Sequence, residues 1–310
     1  MILSVSRRTD IPAFYSAWFF NRIKEGFVYT RNPFKANAVS RISLHPNVID
    51  CIVFWTKNPS YEFIENLHLL SDYNYYFQFT INTYESAIEQ HVPKKPIIIE
   101  SFKKLSRKLG KERMIWRYDP ILLSNEYTVD YHIRWFELLL KSLAPYTEKC
   151  IISFIDFYKK SERNLKGTSV RTLTESEIYT LANQMQRMAS ANGLILETCA
   201  EEYDLSRFGI NHGKCIDDKL IERITKKQII AQKDKNQRKT CGCIESIDIG
   251  GYNSCQHNCL YCYANYSNEK VIENIKNHDA NSPLLIGNID DADIIIERKL
   301  YSILTDTLFG

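Results

Sequence analysis

The chain predicts an α/β protein: a (β/α) TIM-like barrel, closed or partial, with a cysteine-rich segment near its C-terminus. Two observations lead there. Over the first 200 residues, six short runs rich in β-branched and aromatic residues alternate with helical patterns. Alternation of this kind means βα units and a parallel sheet. Then five of the nine cysteines fall within the 22 residues from Cys241 to Cys262. A doubly wound open sheet is the alternative, but no G-x-G-x-x-G follows a strand to support a dinucleotide-binding version.

The elements follow in order. Ile2–Ser6 is the first strand. Asp10 can cap a helix near 13–24, with Pro12 in its first turn. Ser6-Arg7-Arg8 ahead of the apolar run Ile11 to Phe20 invites a twin-arginine export reading. Arg22, Lys24 and Glu25 end that run, and no small-residue cleavage site follows. The expectation is therefore mature N-terminal structure in a cytoplasmic protein. Strands Cys51–Thr56, Tyr75–Ile81, Arg113–Tyr118, Cys150–Ile155 and Leu194–Thr198 come next, with helices near 60–70, 96–109, 130–143 and 174–191 between them. The last helix has a capping box, Thr174 with Glu177, and ends at Gly193. Beyond Thr198 lie a helix over 216–231, a basic loop over 233–240, a short strand Ser246–Ile249, a Gly-Gly break and the cysteines. This divides the chain into a barrel over 1–240 and a cluster-binding segment over 241–310, packed on the barrel or completing it.

Composition narrows the function classes. An apolar share of 44% and a charged share of 25% exclude a disordered chain. No stretch approaches 18 uninterrupted apolar residues, so no membrane span is expected. A net charge of +3 does not by itself argue for nucleic acid. The basic run from Lys226 to Lys239 is interrupted by Asp234 and reads as a solvated helix end and loop.

In parallel βα architectures, function sits at the C-terminal strand ends. All six predicted strands place charged or amide groups there. Arg7, Arg8 and Asp10 follow the first, and Lys57 the second. Arg117 and Asp119 end the fourth, Asp156 follows the fifth, and Glu197 ends the sixth. Such a ring suits a polar, anionic or zwitterionic small molecule held through Arg7, Arg8 and Arg117. The pairs Arg8/Asp10 and Arg117/Asp119 could instead be salt bridges on the rim. Asp119, Asp156 and Glu197 are also candidate acids or bases for a lyase or hydrolase.

Cys255, Cys259 and Cys262 have the spacing C-x3-C-x2-C, with Tyr261 before the third. Soft thiolates select iron–sulfur centres, zinc or cuprous ions. Three ligands on one loop leave a coordination position open, as a catalytic centre needs. Cys199, Cys215, Cys241 and Cys243 are four more, enough for an auxiliary iron–sulfur cluster or a closed zinc site. Cys51 and Cys150 sit at strand starts among apolar residues and read as core. His212 and His257 lie near the cysteines and read as hydrogen-bonding neighbours rather than ligands.

The C-x3-C-x-Tyr-C pattern resembles the cluster signature of the radical S-adenosylmethionine (SAM) enzymes. The chain also resembles the family called domain of unknown function 1848, through SRRTDIPAF, WTKNP, WRYDP, ETCAEE and the final cysteine segment. The radical SAM resemblance implies a partial (β/α)6 barrel. It also implies a 4Fe–4S cluster on Cys255, Cys259 and Cys262, SAM at the fourth iron, and a reducing electron donor. A 5′-deoxyadenosyl radical would then abstract hydrogen from a small-molecule substrate. In that family the motif follows the first barrel strand, whereas here it lies near the C-terminus. Circular permutation reconciles the two, with Ser246–Ile249 taking the first strand's place. No glycine-glycine-glutamate segment for the SAM amino group is present, so no SAM-contacting residue is assigned. The alternative is a metal-stabilised binding module, with zinc or clusters acting as staples and no SAM chemistry.

Overall fold

The computed structural model describes residues 1–35, 37–157 and 159–305. Eight strands form one parallel sheet: β1 (Ile2–Val5), β2 (Cys51–Thr56), β3 (Tyr75–Thr80), β4 (Met114–Ile121), β5 (Lys149–Phe154), β6 (Ile195–Cys199), β7 (Asn211–Gly213) and β8 (Ile247–Asp248). Their order is β8-β1-β2-β3-β4-β5-β6-β7, with every neighbouring pair parallel.

The helices are α1 (Ile11–Phe14), α2 (Ser16–Glu25), α3 (Tyr61–Glu65), α4 (Lys95–Leu109), α5 (Val129–Leu143), α6 (Lys159–Leu165), α7 (Glu175–Ala191), α8 (Asp218–Thr225) and α9 (Asn268–Lys276). Side-chain caps fix several starts. Asp10 accepts from Ala13 N ahead of α1, and the Thr174/Glu177 capping box opens α7.

Period-two alternation sorts each strand between two cores. Leu3, Val5, Ile52, Phe54, Phe77, Trp116, Ile152 and Leu196 face the helices in the larger core. Ile2, Cys51, Val53, Tyr76, Ile115 and Ile151 face the other way, into a smaller core shared with Ile216, Ile221, Cys241 and Ile244. Segments after β7 therefore cover the inner face of the sheet. The Tyr76 hydroxyl ties them down by donating to Cys215 O at 2.7 Å.

The structure corrects several expectations. The sheet is open, since among the described residues no ladder joins β7 to β8, and the inner face is filled by non-strand segments. The helix predicted over 216–231 is only Asp218–Thr225. It stops at Lys226, whose φ of 56° is left-handed, and Gln228–Ile229 pairs with Leu304–Thr305. The sequence reading missed the antiparallel pair Phe27–Arg31 and Ala38–Ser43, which Ile294–Glu297 joins in parallel. Residues beyond 240 enter two sheets with the first fifty residues, through β8 on β1 and through Ile294–Glu297. Among the described residues, no helix is long and apolar enough to cross a membrane.

Candidate functional site

On each inner face the strand begins apolar and ends polar. Val53 gives way to Trp55 and Lys57, Ile115 to Arg117 and Asp119, and Ile151 to Ser153. These ends line one cavity of about 510 Å³ with Ser6–Asp10, Asn236–Arg238 and the C-terminal cysteines. Seven of the nine cysteines line it: Cys199, Cys215, Cys241, Cys243, Cys255, Cys259 and Cys262. Cys51 and Cys150 are fully buried in the cores, as expected of packing residues.

The three-cysteine loop follows β8 directly and is tied from several sides. His91 N donates to His257 O at 3.0 Å, and Leu260 N to Ile88 O at 3.0 Å. Asn253 and Asn258 turn the chain with φ of 52° and 50°, in the region asparagine tolerates best after glycine. Gly250 must be glycine, because a Cβ there would lie 2.6 Å from Ser6 Cβ. The loop thus packs against Ser6–Asp10.

Tyr261 anchors the loop in a buried ion-pair network. Lys57 Nζ donates to Tyr261 Oη at 2.8 Å and to Glu89 Oε1 at 2.7 Å. Tyr261 Oη donates to Glu89 Oε1, and Lys95 Nζ contacts Glu89 Oε2 at 2.7 Å. Burial works against the charge on Glu89, but Lys57 and Lys95 outweigh it and hold the carboxyl down at about 2. Asp10 is a second anchor: it accepts from Lys57 N at 2.7 Å and contacts His257 Nε2 at 2.8 Å.

Cys199, Cys215, Cys241 and Cys243 come from three separate segments and meet in one hydrogen-bonded group. Cys199 Sγ and Cys215 Sγ are 3.1 Å apart. Cys243 Sγ accepts from Cys215 N and Ile216 N, each at 3.3 Å. A hydrogen bond with Cys243 brings the Cys241 thiol down to about 7. Arg117 Nη1 donates to Cys215 Sγ at 2.8 Å.

Each of the predicted rim residues has a partner. Arg8 spans Asp248, with Nε at 3.1 Å and Nη2 at 3.0 Å from Oδ1. Arg117 pairs with Asp119 and with Gln78. Asp156 pairs with Arg238, both half-exposed at the mouth. The Arg7 guanidinium lies over the Trp55 ring at 5.3 Å and pairs with Asp234 at 3.9 Å. Glu197 does not line the cavity. It sits one alternation before Cys199 and pairs with Lys149 at 2.9 Å, beside Asp217.

Three participants were missed by sequence reasoning. Asp248 receives Ser4, Ser6, Arg7 N, Arg8 and Gly250 N, which makes it the junction between β1 and the cysteine loop. It lies next to the end of the predicted strand Ser246–Ile249, so reading one residue inward from the strand end could have found it. Glu89 lies between β3 and α4 with no strand-end signal. Asn236–Arg238 reach the mouth from the basic loop, whose charge pattern alone indicates only a solvated segment.

The residues fit a cluster and a polar cofactor by donor chemistry. Three thiols of one loop open on one cavity, and burial pushes all three up, Cys255 to about 12, so a cation is needed to hold them as thiolates. Among the described residues, three buried polar atoms lining the cavity find no hydrogen-bond partner: Arg7 Nη2, His257 Nδ1 and Asn265 Oδ1. Among the described residues, no three His, Cys, Asp or Glu side chains already stand in metal-binding geometry.

A family model described as "Domain of unknown function (DUF1848)" matches residues 2–264. No curated protein matches the chain. Among solved structures, the chain is similar to one described as a candidate α-L-fucosidase from Bacteroides thetaiotaomicron, at 11% identity and a TM-score of 0.25. That match covers 52% of this chain and 68% of the other.

Proposed function

The chain belongs to the domain of unknown function 1848 family, and from its residues we propose that it is an iron–sulfur enzyme of radical SAM type acting on a small polar substrate. The carrying observation is the convergence of Cys255, Cys259 and Cys262 from one loop onto a cavity lined by polar strand ends. The sheet supports the reading as a partial barrel, permuted relative to radical SAM barrels. β8 lies parallel beside β1, and the cysteine loop leaves its C-terminal end.

When bound, the cluster and SAM supply one-electron cleavage to a 5′-deoxyadenosyl radical for hydrogen abstraction. The protein's own part is positional. Tyr261, through Lys57 and Glu89, fixes the segment bearing Cys259 and Cys262. Asp10 fixes His257, midway between Cys255 and Cys259. Arg7, His257 and Asn265 hold unpartnered polar atoms available to the polar groups of a bound molecule. Trp55, Phe154, Ile155 and Tyr263 supply cavity wall that excludes water.

The test is anaerobic reconstitution with iron and sulfide, then reduction with SAM. Release of 5′-deoxyadenosine, lost in Cys259→Ala, is the expected result. No release from fully loaded protein overturns the proposal. So does zinc without iron in anaerobically purified material, which favours the staple reading.

A further inference from the structure

The four thiols Cys199, Cys215, Cys241 and Cys243 are separate from the three-cysteine loop and come from the end of β6, the segment after β7 and the segment before β8. We propose that they form a second, closed centre holding one thiophilic divalent ion, with zinc the expected occupant. This does not depend on SAM chemistry at Cys255–Cys262.

Three observations carry the inference. The first is sulfur spacing. A tetrahedral ion with Zn–S bonds of about 2.3 Å holds its sulfurs roughly 3.8 Å apart. Cys199 and Cys215 stand at 3.1 Å, so they need to open only slightly around a single ion. A multinuclear cluster has to spread its ligands further.

The second is the donors aimed at sulfur. Cys215 N and Ile216 N both point at Cys243 Sγ, and Arg117 Nη1 points at Cys215 Sγ. Donors of this kind stabilise thiolates and serve as the supporting shell of a metal–sulfur centre.

The third is charge. Four thiolates around a divalent ion leave a net charge of about −2 by formal count. Arg117 and Arg7 both interact with thiols of this group, and among the described residues Arg7 Nη2 is buried without a hydrogen-bond partner. An unpartnered guanidinium nitrogen beside four neutral thiols is costly, whereas beside an anionic centre it is compensated.

Binding exchanges four S–H protons for four S–metal bonds and releases four protons, with no change of oxidation state. The ion would join the end of β6 to the segments that cover the inner face of the sheet, beside the guanidinium of Arg117.

The experiment uses the full chain carrying Cys255→Ala, Cys259→Ala and Cys262→Ala, which removes the other site from the measurement. Purified under reducing, anaerobic conditions, it should retain one zinc per chain by elemental analysis. Stripped of metal and titrated with cobalt(II), it should take up one ion per chain with sulfur-to-cobalt charge-transfer absorption. Adding Cys241→Ser and Cys243→Ser should abolish both. The cobalt titration keeps the test decisive if that last variant fails to fold. Three outcomes overturn the proposal: no bound metal and no thiolate–cobalt absorption; iron with acid-labile sulfide in place of one zinc; or a Cys199–Cys215 disulfide with no metal. None bears on whether SAM is cleaved at the first site.

Discussion

Replacing Glu89 by Gln tests how the cysteine loop is held. The carboxylate is 1% exposed and receives two ammonium groups, each at 2.7 Å, plus the Tyr261 hydroxyl. Glutamine keeps the shape but leaves Lys57 and Lys95 without their counter-charge. Removing one partner of a buried pair costs about 3–5 kcal/mol. The lysine side chains are 14% and 20% exposed, so solvent recovers part of that and about 3 kcal/mol is expected. With a urea slope near 3 kcal/mol per molar for a chain of this size, the midpoint should fall by roughly 1 M. Because Glu89 also forms a backbone bridge to Cys259, alkylation of Cys259 and Cys262 should accelerate in native conditions. A double variant with Lys57→Met should recover part of the loss. A midpoint shift under about 0.3 M, or alkylation at the wild-type rate, would refute the reasoning.

Further outcomes follow from individual residues. His132 is fully buried between Tyr118 and Leu122 O, and burial lowers its pKa from 6.5 to about 4. Its contribution is present above pH 6.5 and is lost as pH falls toward 4, because only the unfolded chain takes the proton in that window. The loss approaches about 3 kcal/mol. Urea melts at pH 7.5 and 4.5 should differ more in wild type than in His132→Asn, and equal differences contradict the assignment. Gly250→Ala forces a methyl into Ser6 and should cost about 1–3 kcal/mol, read as a lower thermal midpoint; an unchanged midpoint counts against the close packing. Tyr261→Phe removes a hydroxyl that bridges Lys57 and Glu89, and should lose about 1–3 kcal/mol in the same assay.

Much of the site was legible because strand ends are local signals. Arg7, Arg8, Asp10, Lys57, Arg117, Asp119 and Asp156 all line the cavity for the reason the strand-end rule gives. Glu197 obeyed the same rule yet was captured by Lys149, a partner on the neighbouring strand that a linear reading does not supply. Spacing set Cys255, Cys259 and Cys262 apart as one loop. That Cys199 and Cys215 touch while sixteen positions apart required the β6–β7 pairing. The sheet of Phe27–Arg31, Ala38–Ser43 and Ile294–Glu297 was missed because its third strand arrives from some 250 residues away. Closure of the barrel could not be read either, since periodicity defines the faces of each strand but says nothing about which edges meet.

The most direct test of the central claim is the paramagnetic resonance spectrum of the reduced, iron-loaded protein with and without SAM. The account predicts a reduced-cluster signal that changes shape when SAM is added and disappears in Cys259→Ala, because an iron left open by three cysteines is free to take SAM. A cluster signal that SAM leaves unchanged would contradict it.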